Sequence, residues 1–200
     1  MPPPTACFDL GGVLVRICHR WEEAVAAAGL ASPRTGALAD FRPLLAYQNG
    51  DLALGPYLAE LADWLGFPDA GHALAVHNHV LIEEYPGVAA LAAELRAAGW
   101  RLGCLSNTNE AHWDEMLRSG RFPTVAGLEV KVASHEVNLS KPDPAVYAAF
   151  LAAAECQAED VVYFDDHPEN VTAAQSLGWR ARLIDPAADP AAQMRTVLKA

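Results

Sequence analysis

Cys7-Phe8-Asp9-Leu10-Gly11-Gly12-Val13-Leu14-Val15 sets an acid at the end of an apolar run and follows it with two glycines. Thr5 to Phe8 read as a short buried strand of a parallel sheet, and the glycine pair lets the backbone turn sharply and come close to a ligand. A carboxylate at the C-terminal end of such a strand stands where open α/β sheets bind their ligands, which makes Asp9 the first candidate for chemistry. Taken alone, the stretch reads more readily as a turn rich in Asp and Gly that only shapes the chain. The residues further along decide between the two.

Directly after this stretch the pattern turns helical. Trp21, Val25 and Ala28 keep helical spacing up to Gly29-Leu30, and the segments 41–47, 57–65 and 74–82 behave similarly, with no strand-like alternation between them. From Tyr85-Pro86-Gly87 onward strands and helices alternate. A helix over 88–98 ends at Gly99, and an apolar strand over 102–105 runs into Ser106-Asn107-Thr108-Asn109, which opens another helix. A weaker strand covers 131–133, Pro142-Asp143-Pro144 starts a helix over 145–154, and a buried strand over 161–164 ends in Asp165-Asp166. Pro168 opens and Gly178 closes the next helix, before a last strand over 181–184. The reading is an α/β protein, a doubly wound (Rossmann-like) parallel sheet with a small inserted helical cap. Residues 1–15 and 86–200 form the core and 16–85 the cap, with Pro2 to Pro4 as a disordered lead-in.

The chain has 200 residues, enough for a real hydrophobic core without staples. Its formal net charge of -11 disfavours a nucleic-acid or anionic-membrane partner, which would need a basic face. Cys7, Cys18, Cys104 and Cys156 are isolated, without a C-x-x-C pair, as in reduced intracellular thiols. The N-terminus lacks the basic and apolar regions of a signal peptide, and no apolar run approaches the ~18 residues of a spanning helix. A cytoplasmic protein is expected; its oligomeric state is not legible.

Asp9, Ser106-Asn107, Lys141 and Asp165-Asp166 all stand at strand ends or helix entries, and in a parallel sheet those ends share an edge. Together they suit phosphoryl transfer: a carboxylate nucleophile, a cation and side-chain donors for phosphate, and further acids that need a counter-ion. Three crowded acids lift one another's pKa unless a divalent cation sits among them, and an oxygen-only set selects magnesium. The His77-Asn78-His79 pair faces two directions on a helix, so a solvated or rim position is expected for it.

These motifs resemble those of the haloacid-dehalogenase-like superfamily over nearly the whole chain. Phe8-Asp9-Leu10-Gly11-Gly12-Val13-Leu14 is similar to its first motif, Leu105-Ser106-Asn107-Thr108-Asn109 to its second, Ser140-Lys141-Pro142-Asp143 to its third and Val162-Tyr163-Phe164-Asp165-Asp166 to its fourth. The insertion resembles the helical cap of the cap-bearing branch, and the motif wording looks closest to sugar-phosphate phosphatases acting on glucose 1-phosphate. The resemblance implies a magnesium-dependent phosphatase in which Asp9 forms an aspartyl-phosphate, Leu10, Gly11, Ser106 and Asn107 meet the phosphate, and Lys141 neutralises both. It implies Mg2+ held by Asp9, the Gly11 carbonyl and Asp166, with Asp165 direct or through water and Asn170 behind them. His19, Arg20 and Gln48 would reach a small phosphorylated substrate from the cap.

The departure lies at Gly11, where most such phosphatases have a second aspartate that handles the leaving-group proton. General acid/base help contributes about 10² to 10⁴-fold, against total accelerations up to ~10²¹ for phosphate monoesters. Its loss slows the reaction without abolishing it. Two other readings stand beside the phosphatase: a metal-free 2-haloacid dehalogenase using Asp9, and a non-catalytic phosphate-binding or interaction module in which Gly11 marks lost chemistry.

Overall fold

The computed structural model describes residues 3–198. In chain order its strands are β1 Thr5–Phe8, β2 Val15–Ile17, β3 Leu81–Glu84, β4 Arg101–Ser106, β5 Val130–Ala133, β6 Val161–Asp165 and β7 Arg180–Leu183. Five of them form one parallel sheet in the order β5-β4-β1-β6-β7. β1 is central because its residues are buried on both faces. Ala6 and Phe8 enter one apolar cluster, while Cys7 enters the other. β6 alternates in the same way, with Val162 and Phe164 on one side and Val161 and Tyr163 on the other.

The helices are α1 Trp21–Ala27, α2 Pro43–Gln48, α3 Leu54–Leu65, α4 Ala70–Asn78, α5 Val88–Ala97, α6 Glu110–Arg118, α7 Pro123–Ala126, α8 Ser134–Val137, α9 Pro144–Ala154, α10 Pro168–Ser176 and α11 Pro190–Leu198. Helix ends follow local chemistry. Asn109 and Asp143 accept from His112 N and Ala145 N at the starts of α6 and α9, and Gly66, at φ +76, closes α3.

α1 to α4 enclose a core of their own. Trp21, Phe41, Tyr57, Leu61, Leu65 and Val76 are buried together, apart from the two clusters that flank the sheet. Each large apolar side chain so buried contributes about 1.5–3 kcal/mol, so the insertion carries its own packing energy. A short ribbon joins it to the sheet, with β2 and β3 pairing antiparallel through Val15 opposite Glu84.

That ribbon corrects the helix expected over 74–82. α4 stops at Asn78, and Leu81 to Glu84 extend instead, because Leu81 is buried while Ile82 and Glu83 face out on the ribbon. The expected lead-in also shortens. Met1 and Pro2 lie outside the described residues, but the Pro4 carbonyl already accepts from Arg101 N at 3.0 Å. All four cysteines are buried and free. Among the described residues, no helix is long and apolar enough to cross a membrane.

Candidate active site

The register of the sheet assembles the site. Phe8 pairs with Cys104 on one side and Phe164 on the other, so the residues just beyond, Asp9, Ser106 and Asp165, emerge at one edge. Asp9 N continues the ladder by donating to Phe164 O at 2.8 Å. Lys141 arrives on the loop before α9, and its Nζ lies 3.0 Å from Asp9 Oδ2 and 2.7 Å from Asp165 Oδ2. The Lys141 side chain is 1% exposed and that of Asp165 0%. This is a desolvated cation shared by two carboxylates.

Burial pushes Asp9 up to about 6, and Asp165 and Asp166 push the same way while Lys141 opposes them. Burial pulls the other way on Lys141, but Asp9 and Asp165 outweigh it and hold the ammonium charged. Burial also disfavours an ionised Asp165, yet Lys141 and further donors keep its carboxyl below the usual range.

Those donors divide the two neighbouring acids. Asp165 accepts from Lys141, from the Tyr163 hydroxyl, from His167 N at 2.7 Å and from Asn170 Nδ2 at 3.0 and 3.1 Å. Both its oxygens are committed to protein. Asp166 is half-buried, and among the described residues it takes a side-chain hydrogen bond from His167 Nδ1 alone, at 2.9 Å. A β-carbon on Gly12, at φ +74, would fall 2.3 Å from Asp166 Oδ2, so the second glycine of the turn is what lets this carboxylate close onto the loop.

Ligand atoms of Asp9, Asp165, Asp166 and His167 lie within 4.8 Å of one another. Convergent carboxylates around the C-terminal edge of a sheet suit a hard divalent cation. The residues present therefore fit magnesium, with Asp166 the more open carboxylate and Asp9, which has one protein contact on each oxygen, beside it.

A cavity of about 590 Å³ opens over this cluster, bounded by Asp9, Gly11, Ser106, Lys141, His19 and Gln48 among others. His19 is exposed at its rim, and Gln48 is half-buried in its wall. Arg20 is not brought to the site. It sits at the start of α1, pairs with Glu22, and lines neither this cavity nor the smaller one beside it. Leu10, Gly11 and Asn107 line the cavities and have further contacts of their own. The Asn107 side chain is spent on the third motif, its Oδ1 accepting from Lys141 N at 2.8 Å and its Nδ2 donating to Lys141 O at 3.0 Å. Leu10 N donates to Asp9 Oδ1 at 2.7 Å. Gly11 has Ile17 against it, as a β-carbon there would lie 3.1 Å from Ile17 Cδ1.

His77 is neither solvated nor at a rim. It is buried, and its ring stacks on His112 with centroids 3.9 Å apart. Tyr57 OH donates to His77 Nδ1 (2.9 Å), His77 Nε2 to Asn109 Oδ1 (3.0 Å), Asn109 Nδ2 to His112 Nδ1 (3.3 Å) and His112 Nε2 to His77 O (2.7 Å). Each Nε2 thus carries a proton, since it meets an oxygen that only accepts, and burial, which pushes both imidazoles below their ordinary pKa, favours the neutral rings. Tyr47 OH accepts from Ala111 N at 3.0 Å. The insertion is pinned in this way to α6, the helix that begins at the second motif. Sequence spacing gives no signal for this network, whose members come from α2, α3, α4 and α6. Tyr163 was missed likewise, being one apolar-strand position among several until its hydroxyl meets Asp165.

A family model for haloacid dehalogenase-like hydrolases matches residues 3–178. Protein CbbY of Rhodobacter capsulatus is 29% identical over 197 residues, spanning 88% of this chain and 82% of its own. The fold is similar to that of HAD family enzyme BT-2542 from Bacteroides thetaiotaomicron in its magnesium complex (TM-score 0.80, 21% identity, 98% of this chain and 100% of that one). It is also similar to L-2-haloacid dehalogenase from Xanthobacter autotrophicus (TM-score 0.66, 19% identity, 99% and 84%).

Proposed function

The chain belongs to the haloacid dehalogenase-like hydrolases, and from that premise we propose that it is a magnesium-dependent phosphatase acting on a small phosphomonoester through an aspartyl-phosphate on Asp9. The observation that carries this reading is the pair of acids at the end of β6. A dehalogenase built on Asp9 needs only the nucleophile, whereas here Asp166 stays open beside Asp9 while Asp165 is held back by Lys141, Tyr163 and Asn170. The BT-2542 complex with magnesium and inorganic phosphate supports it on the same fold. A sugar phosphate as the substrate rests on the sequence resemblance alone.

Asp9 and Asp166 would hold the magnesium, with Asp165 behind them. Bound there, the ion supplies charge neutralisation that lets an anionic carboxylate approach an anionic phosphoryl group. The protein's own groups do the rest. Lys141 holds Asp9 ionised and oriented, and its ammonium balances the incoming phosphate. The hydroxyl of buried Ser106, which makes no side-chain hydrogen bond among the described residues, is free to donate to a phosphate oxygen. An Asp9 oxygen attacks phosphorus, the ester P–O bond breaks, and the alcohol leaves with a proton drawn from water, as Gly11 offers none. Water then cleaves the acyl phosphate, returning Asp9 and inorganic phosphate.

The test is covalent trapping. Protein quenched during turnover of a phosphate-labelled ester should carry hydroxylamine-sensitive label, and Asp9→Asn should carry none and lose turnover. Label or turnover retained in Asp9→Asn would sink the reading. The dehalogenase likeness favours a second reading, haloacid turnover that persists in chelator.

A further inference from the structure

Beside the open cavity lies a second, smaller chamber of about 90 Å³ under the insertion. The two share Gly11, Ile17, Leu38, Gln48, Ser106 and Asn107, so the chamber adjoins the place that a phosphate on Asp9 would occupy. Its walls are Val15, Trp21, Leu38, Leu44, Val80 and Met116. The imidazoles that face it have no hydrogen bond to spare, for His77 is used by Tyr57 and Asn109 and His112 by Asn109 and the His77 carbonyl. The Asn107 amide is used by Lys141. Beyond Ser106, which belongs to the phosphate, the side chains of Gln48 and Thr108 alone stay uncommitted among the chamber's described polar residues.

Resting on the phosphatase reading, we infer that this chamber takes an unhydroxylated, short aliphatic part of the leaving group, and that the substrate is a phosphomonoester of a small, largely hydrocarbon alcohol and not of a polyol. Two quantities decide it. A cavity of ~150 Å³ holds one benzene, so this one holds about three or four carbon atoms. A hexose brings four or more hydroxyls, and two free side chains leave most of them stranded against Val, Leu, Trp and Met. Stranded hydroxyls lose their water without replacement. The same wall rewards hydrocarbon, each buried methylene adding about fourfold in affinity. The polyol reading implied by the motif wording is thus opposed by the chamber that would receive it.

The experiment is magnesium-dependent phosphate release from methyl, ethyl, n-propyl and n-pentyl phosphate, with glycerol 3-phosphate as the hydroxylated match of the propyl ester. kcat/KM should rise about fourfold per methylene through propyl and level off by pentyl, and propyl should exceed glycerol 3-phosphate by about 10- to 100-fold, the range over which an apolar pocket rejects an added hydroxyl. Val80→Thr, which adds a hydroxyl to the wall at nearly constant volume, should narrow that preference several-fold with the fold checked by its melting curve. A flat or falling series, glycerol 3-phosphate equal to or better than propyl, or an unmoved preference in folded Val80→Thr overturns the inference while leaving the phosphatase reading in place. No release from any ester, 4-nitrophenyl phosphate included, overturns the phosphatase reading and takes the inference with it.

Discussion

The δ-methyl of Ile17 stands 3.1 Å from the point where a β-carbon on Gly11 would lie. The position at which related phosphatases carry an acid is thus backed by hydrocarbon from β2. Gly11 does not sit at positive φ, so a side chain is excluded only by that contact, and a shift of a few tenths of an ångström in a flexible methyl admits one. Gly11→Asp, best combined with Ile17→Val, should accelerate release from alkyl phosphates at least tenfold, toward the ~10² of general acid help. 4-Nitrophenyl phosphate, whose leaving group needs no proton, should gain far less. An equal change on both esters would show that the new carboxyl does not reach the leaving oxygen.

Lys141 is as much a structural group as a chemical one. Its ammonium is 1% exposed between Asp9 and Asp165, and removing one partner of a buried ion cluster costs about 3–5 kcal/mol. Urea denaturation of Lys141→Met should show a loss of that size, and adding Asp165→Asn should recover part of it by removing the stranded charge. A loss below about 1 kcal/mol would mean that water screens this cluster.

The two acids after β6 should separate in a binding measurement. Titration of Mg2+ by calorimetry should show Asp166→Ala weakened at least tenfold, because Asp166 is the carboxylate left open. Asp165→Asn should act instead mainly on stability, through Lys141 and Tyr163. Chelator should abolish phosphate release and magnesium should restore it; release that continues in chelator would favour metal-free chemistry.

His112 ties stability to pH. Burial pushes its imidazole down to about 4 from the ordinary 6.5, so the unfolded chain takes up a proton that the folded chain refuses. The stability associated with this group is full above pH 6.5, declines as pH falls toward 4 and is level below, a change of about 3 kcal/mol. His112→Asn should remove that slope, read as the difference between parent and variant denaturation curves at pH 7.5, 5.5 and 4.5. Asp9 contributes a slope of opposite sign to both proteins and cancels in the difference. Parallel curves would place a proton-accessible His112 in the native state.

How much of this was legible depended on how local the cause was. β1, β4 and β6 announce themselves because strands buried on both faces are unbroken apolar runs ending in polar residues, and their order fixes Asp9, Ser106 and Asp165 on one edge. β3 was hidden because a four-residue strand with Ile82 and Glu83 exposed prolongs the spacing of α4. The Asn107 side chain carries no mark in the sequence that it is spent on Lys141, nor does Arg20 show that Glu22 holds it away. Those outcomes belong to pairs of segments brought together only by the fold.

Asn109 has a consequence for exchanging parts between relatives. Its one side chain starts α6, receives His77 from the insertion and supplies His112, so the insertion and the loop after β4 share a component. A chimera that exchanges residues 16–85 alone would cost Asn109 its bond from His77 Nε2 and His112 its bond to the His77 carbonyl. Modular grafting therefore requires Asn109 and His112 to travel with the insertion, and the divergence of the two regions is coupled at that junction.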